Sequence, residues 1–408
     1  MDHQPAYRVR AAYCDHQSTD DQIYETLKRI TDPLERSWEK LTRAKKIAIK
    51  MNIMMPPDEI VRIDGKRQEL VDDTVAEAVL RLLTERTNAK LVLVDTSGGY
   101  TKKEEVNIQP LLKKYHVSYV NSNNPPFALY EVPGGGMMFR QYQLSATFQD
   151  TDAVVSVAKM KNHAFMGITL CCKNLFGLPP MPPRGRRIRT YFHHAIRLPY
   201  VLPDLGLITQ PSLNIIDALT GQAGCEWGGE GRVCDALIAG DHVIATDTCG
   251  MWLMGHEPDS DWPTAPFKRD RNHIKVAAEH GFGTVNLDEI DFETEVERPL
   301  ADFDSHDADR QAMGKIMRTA SEQAVYYREQ MEQISKQFRG RFIFLQDQKV
   351  IWNGSDPRKA GTVQQIAQAK PDQAVWLKLV DRPEEEGEHY EVYDEMLGRF
   401  RENRFAVN

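Results

Sequence analysis

The chain has 408 residues, of which 41% are hydrophobic and 27% are charged, a composition typical of globular proteins. It contains no apolar run near the roughly 18 residues that a membrane-spanning helix needs, so we expect no membrane association. Its formal net charge of −8 disfavours a broad nucleic-acid surface, because phosphate binding needs a concentrated positive field, and favours a small-molecule partner.

The start of the chain predicts a cytoplasmic protein. The first 21 residues contain no basic segment followed by an apolar one, which a secretory signal requires. The six cysteines show no C-x-x-C spacing. We therefore expect reduced thiols, and neither a zinc ribbon nor an iron–sulfur cluster.

The first 299 residues alternate between predicted strands and helices. A helix over 22–41 precedes a strand over 45–55, and a helix over 70–86 precedes a strand over 89–99. This strand–helix–strand order predicts a βαβ unit and a parallel sheet. Further strands are predicted over 116–122, 152–161, 212–221 and 235–241. Residues 1–299 are thus predicted to form an α/β domain with a mainly parallel sheet and flanking helices.

The pattern changes after residue 299. A long, polar connecting helix is predicted over 300–338, followed by a small α+β module over 339–385. Within the module we expect two strands over 341–354, a helix near 362–368 and a strand over 374–380. Residues 386–408 form an acidic tail that either folds back or stays loose.

Polar residues mark the carboxyl ends of the predicted strands, where ligands gather in open parallel sheets. We predict Asn52, Asp95, Lys159 and Lys161 as substrate-binding residues. Lys159 and Lys161 share one face of their strand because side chains alternate. Two neighbouring ammonium groups repel each other, and an anionic substrate between them would relieve this repulsion. The alternative is that both lysines are solvated where the strand leaves the sheet.

The stretch "MKNHAFMGITLCCKNLFGL" over 160–178 carries the candidate catalytic residues. His163 is a natural proton carrier at neutral pH, and Lys173, on a helix predicted to begin near residue 168, is a candidate base or covalent attachment point. Asn174 would orient the substrate. A histidine with a purely structural role is the alternative for His163.

The following loop, "PPMPPRGRRIRTYFHH", is rich in proline and arginine. Guanidinium groups bind carboxylate or phosphate, so Arg187 and Arg189 are predicted to bind substrate. His193 and His194 are candidate metal ligands. A solvated basic loop is the alternative.

The segment "IIDALTGQAGCEWGGEGRV" brings carboxylates to a glycine-rich loop. Asp217 ends a predicted strand, and Glu226 and Glu230 lie in the loop, where they would act in acid/base chemistry or bind a divalent metal. The loop lacks the G-K-[ST] of a phosphate-binding P-loop. Asp247 lies in an apolar helix, and we expect it to meet a lysine or a backbone donor because a buried unpaired carboxylate is costly.

The segments "DAVVSVAKMKNHAFMGITLCCKNLFG", "LNIIDALTG" and "IAGDHVIATDTCGMWLMG" resemble the domain-of-unknown-function family 362 over roughly residues 8–290. The resemblance rests on an ordered set of lysine, histidine, glycine, threonine, lysine and asparagine. It implies an α/β fold and no particular reaction. Some members carry a ferredoxin-like segment, which the cysteine spacing here does not support.

The chain also resembles, more faintly, the nickel-pincer lactate racemases. His163, Gly167 and Lys173 keep the spacing at which that family places a histidine, a glycine and the lysine that holds the cofactor. The resemblance implies a nickel-binding histidine, for which His193 and His194 are the candidates. The chain departs from the family after an early strand, where "DTSGGYT" replaces a catalytic histidine.

Together these features predict an enzyme that acts on a small carboxylate- or phosphate-bearing substrate. The predicted step is proton or hydride transfer next to a carbon acid, as in an isomerase, lyase or oxidoreductase, with a divalent metal or other cofactor possible. The alternative is a non-catalytic carrier of a metal or cofactor, or a redox accessory protein. A homo-oligomer is compatible with the sequence.

Overall fold

The computed structural model describes residues 6–55, 57–96, 106–180, 189–357, 375–381 and 387–402. The strands, β1 to β16 in chain order, are Tyr7–Tyr13, Lys46–Met51, Arg62–Ile63, Lys66–Arg67, Lys90–Asp95, Ser118–Asn121, Phe127–Glu131, Gln141–Ser145, Ala153–His163, Gly167–Thr169, Leu213–Ala223, Glu230–Gly240, Ile290–Thr294, Phe342–Gln346, Lys349–Gly354 and Trp376–Leu379. The helices, α1 to α12, are Asp20–Thr31, Glu35–Arg43, Asp73–Arg86, Gln109–Lys114, Cys171–Asn174, Arg189–Phe192, Leu198–Thr209, Val243–Leu253, His273–Glu279, Arg310–Glu329, Met331–Phe338 and Glu391–Arg401.

A large, mostly parallel sheet forms the centre of the molecule, as the sequence predicts. Its strand order is β13-β1-β12-β11-β9-β2-β5-β6, and β10 pairs with β9. The strands β11, β9, β2, β5 and β6 run parallel to one another, and β13 runs parallel to β1. By contrast, β12 runs antiparallel to both β1 and β11, and β10 runs antiparallel to β9. The α/β fold class is therefore confirmed.

Both faces of this sheet are buried, because alternate side chains of the central strands enter two separate cores. In β9, Val155 packs with residues of α1 and α3, whereas Val154 packs with residues of α7, α8 and α9. Strands that are buried on both faces are nearly continuously apolar, and before Lys159 the one polar residue of β9 is Ser156. The polar residues at its end are therefore the exceptions that mark a site.

Two predicted helices are interrupted in the structure. The helix predicted over 22–41 divides into α1 and α2 around Pro33, which lacks the backbone N–H that a continuous helix needs. The long helix predicted over 300–338 begins only at Arg310, and it divides into α10 and α11 at Gln330, whose ψ of 12° lies outside the helical range.

The region around residue 168 also differs from the prediction. The strand predicted over 152–161 continues to His163, because Gly167–Thr169 turns back and pairs with it antiparallel. Helix α5 consequently begins at Cys171 rather than near residue 168. The chain turns tightly at Gly167, whose φ is +69° and where a Cβ atom would lie 2.8 Å from the carbonyl oxygen of Pro266.

The C-terminal part contains a small antiparallel sheet in the order β15-β14-β16. The helix predicted near 362–368 lies outside the described residues. Glu388 fixes this part to the main domain, because its buried carboxylate accepts hydrogen bonds from Arg197 Nε at 2.8 Å and Tyr393 Oη at 2.7 Å and also contacts Lys378. Within the described ranges, no helix is both long and apolar enough to cross a bilayer.

Candidate functional site

The end of β9 and the turn that follows fix the ring of His163. Its Nδ1 accepts hydrogen bonds from the backbone N–H groups of Phe165 at 3.1 Å and Met166 at 3.3 Å. A ring nitrogen that accepts hydrogen bonds carries no proton, so the neutral imidazole carries its proton on Nε2. Nε2 lies 3.5 Å from Oε1 of Glu226, whose other oxygen accepts the backbone N–H of Ala164 at 2.9 Å.

The electrostatic environment keeps His163 neutral. Burial lowers the pKa of its imidazole well below the usual value, and the nearby Lys173 and His193 lower it further because positive charges disfavour a second cation. At neutral pH His163 is therefore a hydrogen-bond donor through Nε2. A bound anion would raise this pKa again.

Lys173 and His193 lie beside His163 around one aromatic ring. The ring centroid of Phe176 is 4.7 Å from Lys173 Nζ and 5.6 Å from the His193 ring, and the His193 ring is 5.8 Å from that of His163. The structure therefore brings together three predicted residues that are up to 30 positions apart in the chain. We call His163, Lys173, His193 and Glu226 the histidine site.

Asp247 holds the short helix that carries Lys173. Its carboxylate accepts the first two N–H groups of α5, from Cys171 at 2.8 Å and Cys172 at 2.7 Å. The prediction that Asp247 meets a backbone donor is confirmed. Burial raises the pKa of this carboxyl to about 7. Because Asp247 lies on α8, its two hydrogen bonds fix the position of α5 relative to α8.

His273, at the start of α9, was missed by sequence reasoning. It is fully buried, and both ring nitrogens are without a hydrogen-bond partner among the described residues. Burial lowers its pKa to about 3, and the charge of Lys173 lowers it as well, which places the two side chains within electrostatic reach. The sequence around it, "RDRNHIKVAAEH", shows a helix start and gives no signal that this histidine adjoins the site.

Asn174 and Asp95 belong to a neighbouring buried group around Lys50. Lys50 Nζ lies 3.0 Å from Asp95 Oδ1 and donates to Asn174 Oδ1 at 2.8 Å. The amide nitrogen of Asn174 lies 3.1 Å from the carbonyl oxygens of Lys50 and Val157. Asn174 thus ties α5 to β2 and β9. Asn52 follows β2, and its Oδ1 is buried without a hydrogen-bond partner in the described part of the chain.

Lys159 and Lys161 are both buried rather than solvated, and they have different partners. Lys159 Nζ lies 3.1 Å from Asp217 Oδ2 and donates to Thr220 Oγ1 at 2.9 Å. Lys161 Nζ donates to the carbonyl oxygens of Glu69 at 2.7 Å and Glu226 at 3.3 Å. Burial lowers the pKa of the Lys161 ammonium group to about 8. Of these two lysines, Lys161 is the one that contacts the histidine site, through the carbonyl oxygen of Glu226.

The remaining candidates lie apart from the histidine site or outside the described side chains. His194 accepts the backbone N–H of Leu377 at 3.0 Å and so faces the C-terminal part. Glu230 is exposed and pairs with Arg232 at 2.8 Å. Arg187 lies outside the described residues, and Arg189 begins α6 with a side chain that is not described.

The five predicted metal ligands do not converge. Asp217 pairs with Lys159, and His194 and Glu230 lie apart. Of the five, His193 and Glu226 belong to the histidine site. Within the described ranges, the side chains that lie close enough together to share a metal ion are those of Asp15, His16 and Asp235.

The chain matches the model of one family and is more weakly similar to a curated protein and to a solved structure. The model of the family described as a domain of unknown function, number 362, matches residues 47–252. The chain is 29% identical over 115 residues to the thylakoid-associated protein sll1697 of Synechocystis, a match that covers 27% of this chain and 34%, about a third, of that relative. A structure of the lactate racemase apoprotein from Thermoanaerobacterium thermosaccharolyticum aligns with a TM-score of 0.36 and 12% identity, over 62% of this chain and 58% of that one.

Proposed function

The chain belongs to the domain-of-unknown-function family 362, and we propose that it is an enzyme that binds a small carboxylate- or phosphate-bearing molecule at the histidine site. The proposed reaction is proton transfer at the carbon next to the acid or carbonyl group of that molecule. Glu226 is the proposed base, His163 the proposed hydrogen-bond donor and Lys173 the proposed anion-binding group.

One observation carries the proposal. A neutral, buried histidine presents its only N–H to a carboxylate at 3.5 Å, while backbone groups occupy its other nitrogen. A structural histidine would need neither a carboxylate at this distance nor a lysine and a second histidine around it. A donor and a base that face each other across a short gap are what proton abstraction from a carbon acid requires.

In the proposed step, the Glu226 carboxylate removes the proton from the carbon, and the electron pair of the C–H bond moves onto the adjacent carbonyl oxygen. His163 Nε2–H donates a hydrogen bond to that oxygen, and the ammonium group of Lys173 balances its negative charge. Return of the proton to the same or a neighbouring carbon completes an isomerisation. Arg187 and Arg189 remain proposed contacts for the acid group.

The test is exchange of carbon-bound hydrogen in heavy water. The purified full chain is incubated with a panel of 2-hydroxy, 2-oxo and phosphorylated acids, and NMR records the loss of the proton next to the acid or carbonyl group. Metal analysis of the same sample tests the expectation of a divalent cofactor. We expect exchange with at least one compound, and a decrease of about 10²–10⁴-fold in Glu226→Gln and in His163→Gln.

Matched controls separate the site from general effects of substitution. Glu39→Gln changes an exposed glutamate, and His116→Asn changes an exposed histidine whose φ of +54° asparagine tolerates. Both controls should exchange at the wild-type rate. Absence of exchange with every compound, or exchange that survives in both site variants, would refute the proposal.

A further inference from the structure

Two exposed aromatic side chains stand at the rim of the histidine site. Phe165, in the turn after β9, is 42% exposed, and Trp227, in the glycine-rich loop before β12, is 36% exposed. The two loops are tied together, because the N–H of Ala164 donates to Oε2 of Glu226 at 2.9 Å. Phe165 directly follows Ala164 and Trp227 directly follows Glu226 in the chain, so each aromatic residue adjoins one partner of this hydrogen bond.

Both rings are in contact with positively charged groups. Trp227 lies over Lys161, with Nζ 4.4 Å from the ring centroid, and Arg269 lies 5.4 Å from the ring centroid of Phe165. The Phe165 ring also meets the His193 ring edge to face, at 5.2 Å between centroids. The rim therefore combines aromatic faces with cations, directly beside the proposed donor and base.

Resting on the proposed function, we propose that the substrate of the histidine site is an aromatic acid, whose planar ring lies against Phe165 and Trp227 while its acid group enters the site. Contact between the substrate ring and aromatic side chains adds binding free energy beyond that of the buried area. The cations beside those side chains attract the negative charge of the acid group.

A small ligand fits this rim better than a protein partner does. Stable protein interfaces bury more than about 1,000 Å² and centre on a contiguous apolar patch. Here the loops that carry the two aromatic residues are joined by a carboxylate that accepts a backbone N–H group and lies 3.5 Å from a neutral donor. Exposed aromatic side chains beside a buried donor and a carboxylate favour a small ligand with a planar ring.

The test compares matched acids that differ only in the ring. Binding of 3-phenylpropanoate, 3-cyclohexylpropanoate and propanoate to the full chain is measured by calorimetry. We expect the phenyl acid to bind at least 5-fold more tightly than the cyclohexyl acid. Trp227→Leu and Phe165→Leu should each reduce this preference by about 2–10-fold and leave propanoate binding unchanged, whereas Tyr13→Leu, at an exposed tyrosine of β1, should change neither.

The outcomes distinguish this inference from the proposed function. Equal binding of phenyl and cyclohexyl acids, or a preference that persists in both rim variants, overturns the aromatic substrate class even if aliphatic acids exchange their protons. A phenyl preference that depends on the rim, without hydrogen exchange in any acid, supports the inference and refutes the proposed reaction. Failure of all three acids to bind overturns the aromatic substrate class, whereas the proposed reaction is refuted by the exchange experiment.

Discussion

Replacement of Asp247 by asparagine tests whether a buried carboxylate holds helix α5. The carboxyl group is fully buried, and its pKa rises from 3.8 in the unfolded chain to about 7 in the fold because of burial. The folded protein therefore binds this proton more tightly than the unfolded chain does. The stabilisation that the folded protein gains from this tighter proton binding is fully present below pH 3.8 and is lost as the pH rises through 7.

The magnitude follows from the size of this shift. Because one pKa unit corresponds to about 1.36 kcal/mol, the wild-type protein should lose about 2 kcal/mol of unfolding free energy between pH 5 and pH 7 relative to Asp247→Asn, which cannot titrate. The variant also carries a pH-independent loss of about 1–3 kcal/mol, because its amide group cannot accept both N–H groups of Cys171 and Cys172.

The assay is urea unfolding of both proteins at constant ionic strength, followed by tryptophan fluorescence at pH 5, 6, 7 and 8. Cys249→Ala is the matched control on the same helix, because burial raises the pKa of that thiol well above 9 and keeps it neutral throughout this range. The stability difference between wild type and Asp247→Asn should shrink with rising pH, and that of the control should stay constant. A difference of equal size at pH 5 and pH 7 would refute the account of Asp247.

Three further predictions follow. Lys173→Ala should abolish hydrogen exchange and weaken carboxylate binding in calorimetry, whereas Lys173→Arg, which keeps the positive charge, should retain both; loss of exchange in the arginine variant would contradict a purely electrostatic role for this lysine. Glu388→Gln should lower the unfolding free energy by about 3–5 kcal/mol in urea, because it leaves Arg197 and Lys378 buried beside a neutral group, and an unchanged midpoint would contradict this. The buried ammonium group of Lys161 lowers the unfolding free energy of the protein while it is charged. Between pH 7 and pH 9, as this group loses its proton, the unfolding free energy of the wild type should therefore rise by about 1 kcal/mol relative to that of Lys161→Met. Parallel pH profiles of the two proteins would contradict this.

Local patterns were sufficient to predict much of the fold. Apolar, β-branched runs that end in polar residues predicted the parallel strands β2, β5, β9 and β11, because such runs are stable only when both faces of a sheet are covered. The strands β1, β3, β4, β7, β8, β10 and β13 were not predicted. β1 and β13 complete one edge of the large sheet, where pairing with distant strands rather than an apolar run keeps them extended.

Within the site, the sequence located residues but not their partners. His163 and Lys173 lie ten positions apart, so their proximity follows from a turn and the start of a helix. The partners of Lys159 and of His163 lie about 60 residues further along the chain, and which carboxylate each one meets depends on the register of β9 against β11 and on the loop after β11.

The sequence by itself determined the class of the fold and the strand end at which reactive side chains gather, because alternation along a strand and the polarity of its last residues are local properties. Tertiary structure alone decided that His193 and not the adjacent His194 contacts the site, and that the distant His273 lies buried near Lys173. The physical reason is that burial, charge coupling and pKa depend on which elements pack together, and packing joins residues whose spacing in the chain carries no signal.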